Sequence, residues 1–90
     1  MNDAQTNSVQ EQLQSYLEMR FLVEFDGDTI NTETDLFNSG VLDSFGIVDV
    51  VSFIESTFDV SLNDNDMTSP LLASLGGMVQ LIHDKRGAGG

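Results

Sequence analysis

An all-α fold, a small bundle of three main helices plus a short helical turn, is what this chain predicts, on three observations. Apolar residues recur at helical steps in three separate stretches, no stretch alternates strictly as a half-buried strand does, and Gly, Asn, Asp and the single Pro70 punctuate the rest. At 90 residues the chain makes one small domain, near the size at which a single core is only just sufficient.

The first helix is predicted over Ser8 to Phe21, where Val9, Leu13, Tyr16, Leu17 and Arg20 fall at three- and four-residue steps and Ser8 or an earlier polar residue opens the turn. Glu24 to Gly40 then reads as a long loop, punctuated by Gly27, Asn31, Thr32, Asn38 and Gly40 and pinned to the core by Phe25, Ile30, Leu36 and Phe37. The second helix, Ser44 to Phe58, is the most strongly patterned, with Ile47, Val50, Val51, Ile54 and Phe58 on one face. Its β-branched residues would suit a strand, but they do not alternate and the run is longer than a usual strand.

Asn63 to Asp66 followed by Met67 suits one short helical turn, which Ser69-Pro70 interrupts. Ser74 then caps a final helix carrying Leu75, Met78, Val79 and Ile82. Gly76 and Gly77 each cost that helix up to about 1 kcal/mol relative to Ala, a cost that close packing against another helix would explain. Met67 and Met78 read as gap-filling core side chains. The end, Lys85 to Gly90, has no apolar anchor and is expected to be mobile.

Fifteen acidic residues against three basic ones leave a net charge of −12. Such a field repels nucleic-acid phosphates and anionic lipid, suits basic protein partners and favours a monomer. No Lys or Arg occurs between Arg20 and Lys85, whereas Glu24 to Asp66 holds eleven carboxylates. Without cysteine there is no disulfide, thiolate metal site or cysteine nucleophile. Any thiol chemistry has to come from a prosthetic group. No apolar run reaches bilayer-crossing length and Met1-Asn2-Asp3 lacks the basic start of a secretion signal, so a soluble, cytoplasmic protein with neither nucleic acid nor membrane as partner is expected.

Leu42-Asp43-Ser44-Phe45-Gly46 is the stretch that carries chemistry, because it sets a serine where an apolar loop turns into a helix. The first turn of a helix leaves N–H groups unpartnered and carries the positive end of the macrodipole, so it favours a negatively charged group. Two readings follow. Asp43 and Ser44 are both residue types that cap helices, and the dipeptide is then structural; alternatively the Ser44 hydroxyl carries a phosphate ester.

The segment from Asp35 to Leu62, DLFNSGVLDSFGIVDVVSFIESTFDVSL, resembles the central part of acyl and peptidyl carrier proteins, in which the serine of an Asp-Ser pair is esterified by phosphopantetheine. The order Asp35-Leu36-Phe37, Gly40-Val41-Leu42-Asp43-Ser44, second-helix stripe, short acidic segment and final helix extends the resemblance to about Ile82. Together with the unanchored end, this gives an expected carrier domain over residues 1–86 and a flexible tail at 87–90. The resemblance implies a phosphopantetheine arm delivered from coenzyme A to Ser44, with Asp43 as the acidic half of the pair and no catalysis by the carrier itself. By the same resemblance, Phe45 and Val48 contact partner enzymes or the attached chain, and Asp49, Ser52 and Glu55 meet basic partner surfaces. A partly buried core margin and a solvated helix face are the plain alternatives for these five residues.

The partners so implied are a phosphopantetheinyl transferase and acyltransferase, ketosynthase, condensation or adenylating enzymes with basic docking surfaces. Gly46, where fatty-acid carriers commonly have an acidic residue, Ser52, where methionine is frequent, and the Lys85-Arg86-Gly87 tail set this chain apart from fatty-acid synthesis. The resemblance is instead to freestanding carriers of polyketide or mixed polyketide and nonribosomal peptide assembly. Ser44-Phe45-Gly46 is also similar to the Ser-Met-Gly of D-alanyl carrier proteins. Outside carriers, the alternative is an acidic helical adaptor that binds a basic partner through Phe45 and Val48.

Three further signals are weaker. Gly89-Gly90 would suit a ubiquitin-like modifier, but that fold needs strands this chain does not offer. A calcium loop starting at Asp26 would need Gly and Glu where Asn31 and Phe37 stand, so no metal is expected. His83, the sole histidine, has no nucleophile suggested nearby and reads as a partner of helix-terminal carbonyls or solvent.

Overall fold

Apolar side chains spaced at three and four residues can share one interior only if their helices turn the same face inward, and they do. The computed structural model describes the backbone of residues 9–89 and the side chains of residues 9–86. The predicted start at Ser8, the Met1-Asn2-Asp3 segment and Gly90 lie outside the described residues. The elements are α1 (Val9–Phe21), α2 (Gly46–Phe58), the one-turn α3 (Asp64–Met67), a 3-10 turn (Pro70–Ala73) and α4 (Leu75–Gly89), with no strand among the described residues. No helix among them is long and apolar enough to cross a membrane.

Val9, Leu13 and Leu17 of α1 meet Val50, Val51, Ile54 and Phe58 of α2 and Leu75, Met78, Leu81 and Ile82 of α4 in one buried cluster. Leu36 and Leu42 from the long loop and Leu72 from the 3-10 turn complete it. Each such side chain contributes roughly 1.5–3 kcal/mol by leaving water. No polar or charged side chain among the described residues is buried with them, so the core carries no desolvated group in need of a partner.

Helices α1 and α2 run antiparallel along a seam of paired residues. Tyr16 stacks on Phe53 with ring centroids 4.0 Å apart, Arg20 pairs with Asp49 one turn further along, and Phe21 lies against Gly46 at the end. Leu22 closes α1 in the left-handed region at φ 58°, and the Val23 N–H donates to the Glu18 carbonyl at 3.3 Å in the manner of a Schellman closure. The Glu18 carboxylate also accepts the Phe25 N–H at 3.0 Å.

The loop is organised by its own aspartates. Asp26 Oδ1 accepts the N–H groups of Asp28 and Thr29 at 2.9 Å and of Ile30 at 3.4 Å, and these bonds hold its carboxyl below the usual range. Asp35 Oδ1 accepts from Phe37 and Asn38 and winds one turn that ends at Gly40, whose φ of 88° suits a residue without Cβ. That turn sends Leu36 inward, fully buried, and leaves Phe37 40% exposed, so Phe37 does not pin the loop as predicted. The Leu36 N–H donates to the Ala73 carbonyl at 2.7 Å, and the Leu36 carbonyl accepts from Leu42 at 2.9 Å.

Ser69 and Ser74 cap as their residue types predict: Ser69 Oγ accepts from Leu71 and Ser74 Oγ from Gly77. Asn63 and Asp66 form a reciprocal capping box around α3, and Asp66 pairs with Lys85 of α4 at 2.5 Å. With α3 held by polar groups, Met67 is left 44% exposed and is not a core side chain, whereas Met78 is fully buried. What approaches Gly76 and Gly77 is backbone outside the main helices: the Thr32 carbonyl of the loop and Leu71 of the 3-10 turn. The α4 ladder runs to Gly89, through residues 87–89 that were expected to form a tail. Once the buried part of a helix has nucleated it, each further residue adds a backbone bond.

Candidate functional site

The turn into α2 is made by Asp43. Its Oδ1 accepts the N–H groups of Phe45 at 3.1 Å and Gly46 at 2.7 Å, and its carbonyl accepts the Ile47 N–H at 3.0 Å. The regular helix begins at Gly46, two residues later than the predicted Ser44, yet that last bond already winds the chain helically over Ser44 and Phe45. Asp43 alone therefore meets the capping demand that the sequence assigned to either residue. Ser44 is exposed on this first turn, and its hydroxyl has no hydrogen-bond partner among the described residues.

The turn is held from behind. Leu42 is buried and its N–H is bonded to Leu36, while Gly46 is buried against the ring of Phe21. On the outer side, Phe45 is 82% and Val48 54% exposed. Ser44, Phe45, Val48 and Ser52 thus share an accessible face at the start of α2.

Asp49 and Glu55, for which basic partner surfaces or a solvated helix face are the two expectations, each have a partner within the protein. The half-exposed Asp49 carboxylate pairs with the half-exposed Arg20 guanidinium, whose carbon lies 5.2 Å from the Phe21 ring centroid. The Asp49 hydrogen bond holds the Arg20 guanidinium above its ordinary value, and burial together with Asp49 pushes the Tyr16 hydroxyl up. Glu55 accepts the Leu62 N–H at 2.9 Å, fastening the chain that leaves α2. Arg20 and Phe21 escape sequence reasoning as neighbours of this site; the isolation of Arg20 as the one cation before Lys85 is the only signal that singles out either.

Among the described residues no group of three or more His, Cys, Asp or Glu is placed to hold a metal ion. A shallow groove between α1 and α2, lined by Tyr16, Met19, Phe53 and Thr57, does not include Ser44. The chemistry available at the turn is that of a free, exposed alcohol at the positive end of a 13-residue helix. An attachment point for a phosphodiester requires an accessible hydroxyl, a nearby positive potential and room for the chain to leave into solvent. These residues fit such a group.

No curated protein matches the chain significantly in sequence. A family model described as "Phosphopantetheine attachment site" matches residues 8–82, which takes in α1 and runs into α4 as far as the buried Ile82. Carrier domains of this kind are generally non-catalytic and interact with phosphopantetheinyl transferases and with biosynthetic enzymes. On a match of that extent the chain belongs to the phosphopantetheine attachment-site family, the carrier proteins to which phosphopantetheine is covalently joined.

Proposed function

We propose that Ser44 is the attachment point and that the protein carries acyl or aminoacyl groups for biosynthesis of the polyketide or nonribosomal peptide type, without catalytic activity of its own. The observation that carries this reading is the division of labour at the turn. Asp43 meets the capping demand of α2 through both its side chain and its carbonyl, which leaves the Ser44 hydroxyl exposed and uncommitted.

In the loading step, Ser44 Oγ attacks the phosphorus next to the pantetheine of coenzyme A, with the transferase taking the serine proton. A new P–O bond forms to Ser44, the pyrophosphate bond breaks, and adenosine 3′,5′-bisphosphate leaves. The arm supplies a terminal thiol on which cargo is held as a thioester, and its tether keeps that cargo at high effective concentration near a docked enzyme. Phe45 and Val48 offer apolar contact beside the attachment point, with Ser52 and with Asp49 and Glu55, each of which keeps an internal partner on one carboxylate oxygen, further along the same helix for basic partner surfaces. The need for coenzyme A suits a cytoplasmic protein.

Incubation with coenzyme A and a broad-specificity phosphopantetheinyl transferase, followed by intact-mass measurement, tests this. The parent should gain one phosphopantetheine and Ser44→Ala none, with the variant melting as the parent does because Asp43 keeps the cap. A parent that stays unmodified beside a control carrier that is loaded refutes the reading. A panel of acyltransferases and adenylating enzymes offered to the loaded protein then separates acyl from aminoacyl cargo.

A further inference from the structure

Gly46 lies in a narrow slot. A Cβ added there would meet Phe21 Cε1 at 2.9 Å, Phe21 Cζ at 3.3 Å and Asp43 Oδ1 at 3.4 Å. On one side the carboxylate caps the turn, and on the other the phenyl ring closes the gap. The same end of α1 grips α2 again one turn later, where Arg20 pairs with Asp49 while resting its guanidinium over the Phe21 ring. Leu22, in the left-handed region, turns the chain away immediately after the contact.

From this arrangement we infer that Phe21, acting through Gly46, is a positioning residue that sets the Ser44 turn in the orientation a phosphopantetheinyl transferase requires. The inference rests on the assignment of Ser44 as the attachment point. Glycine at position 46 is what lets the Phe21 ring approach this closely, since its helical backbone would accept any residue and a Cβ there would push the ring or the turn aside. The ring touches neither substrate nor reacting atoms; its role is to fix the height of the first turn against α1. In-line attack by Ser44 Oγ on phosphorus depends on that height, because displacement of a reacting atom by a fraction of an ångström lowers the chemical step more than it lowers binding.

The atoms that a new methyl group would strike are Phe21 Cε1 and Cζ, both of which leucine lacks. Three variants therefore decide the matter: Gly46→Ala, Phe21→Leu, and the two together. Transferase kinetics should show Gly46→Ala, which overfills the slot, and Phe21→Leu, which empties it, each losing about tenfold in kcat with KM for the carrier changed less than about twofold. The double variant should recover to within about twofold of the parent.

Amide resonances of Ser44 and Phe45 should shift in Gly46→Ala and return in the double variant, while melting curves establish that all three are folded. A merely structural contact would lower melting temperature without the split between kcat and KM. Loading of Gly46→Ala at the parental rate, or a double variant no better than Gly46→Ala, overturns the inference. Failure of the parent to load overturns this inference together with the assignment of Ser44, whereas a loaded parent with an unaffected Gly46→Ala overturns this inference alone.

Discussion

Replacing Gly77 by Ala separates intrinsic helix preference from tertiary contact, because the two act in opposite directions there. In an isolated helix, Ala is favoured over Gly by about 1 kcal/mol. In the folded protein, however, the new Cβ would lie 2.1 Å from the Leu71 carbonyl oxygen and 2.8 Å from the Leu71 carbonyl carbon and Cα. No side-chain rotation relieves contacts with backbone. The 3-10 turn must therefore separate from α4, disturbing the buried Leu72 between them. Overpacking typically costs 1–3 kcal/mol, and a backbone obstacle argues for about 3; less the propensity gain, the net loss is about 2 kcal/mol.

At about 4–8 °C per kcal/mol for a domain of this size, the melting temperature should fall by roughly 8–16 °C. Gly76→Ala is the internal control, since its Cβ would stand 3.1 Å from the Thr32 carbonyl oxygen. A shift of a few tenths of an ångström accommodates it, and the net change should stay within about 0.5 kcal/mol. Thermal and urea unfolding followed by far-UV circular dichroism measures both variants. A Gly77→Ala protein at least as stable as Gly76→Ala would refute the reasoning.

Leu22→Gly should stabilise the protein by about 0.5–1 kcal/mol, because the side chain is 87% exposed with φ at 58° and glycine relieves left-handed strain that outweighs its extra freedom in the unfolded chain. A lower melting temperature would show instead that glycine's extra freedom in the unfolded chain outweighs the relief. Asp66→Asn should be less stable than the parent at neutral pH, with the gap closing in acid. The Lys85 bond, then the Asn63 N–H, hold the Asp66 carboxyl below its ordinary 3.8. Its stabilisation is thus complete above that value and lost as pH falls through the depressed one. Unfolding curves at neutral pH and below 3.8 check this; a constant gap would mean that the charge of Asp66 contributes nothing.

The helices were legible because burial imposes a period. Val50, Val51, Ile54 and Phe58 are buried where their spacing predicts, and Ser74 caps α4 as its residue type suggests. The loop offered no such period: Leu36 and Phe37 are adjacent and both apolar, and only the Asp35 turn decides that the first is buried and the second exposed. Met67 misleads similarly, since a four-residue helix has no face long enough to reveal its direction. At the site, Asp43-Ser44 was visible, but the share of capping between them depends on hydrogen-bond geometry. The contacts of Arg20 with Asp49 and of Phe21 with Gly46 join residues distant in sequence, and nothing local in either partner names the other.

The backbone of Leu36 has a consequence for the order in which the molecule can be completed. Its N–H reaches Ala73 and its carbonyl holds Leu42 just ahead of Asp43. During synthesis from the N-terminus, Leu42, Asp43 and Ser44 emerge well before Ala73 exists to receive that bond. The turn bearing Ser44 therefore gains this further brace only when the C-terminal half has arrived and docked. A growing or truncated chain lacks that brace, so the finished geometry of the hydroxyl is a property of the whole domain and a mark that the whole domain is present.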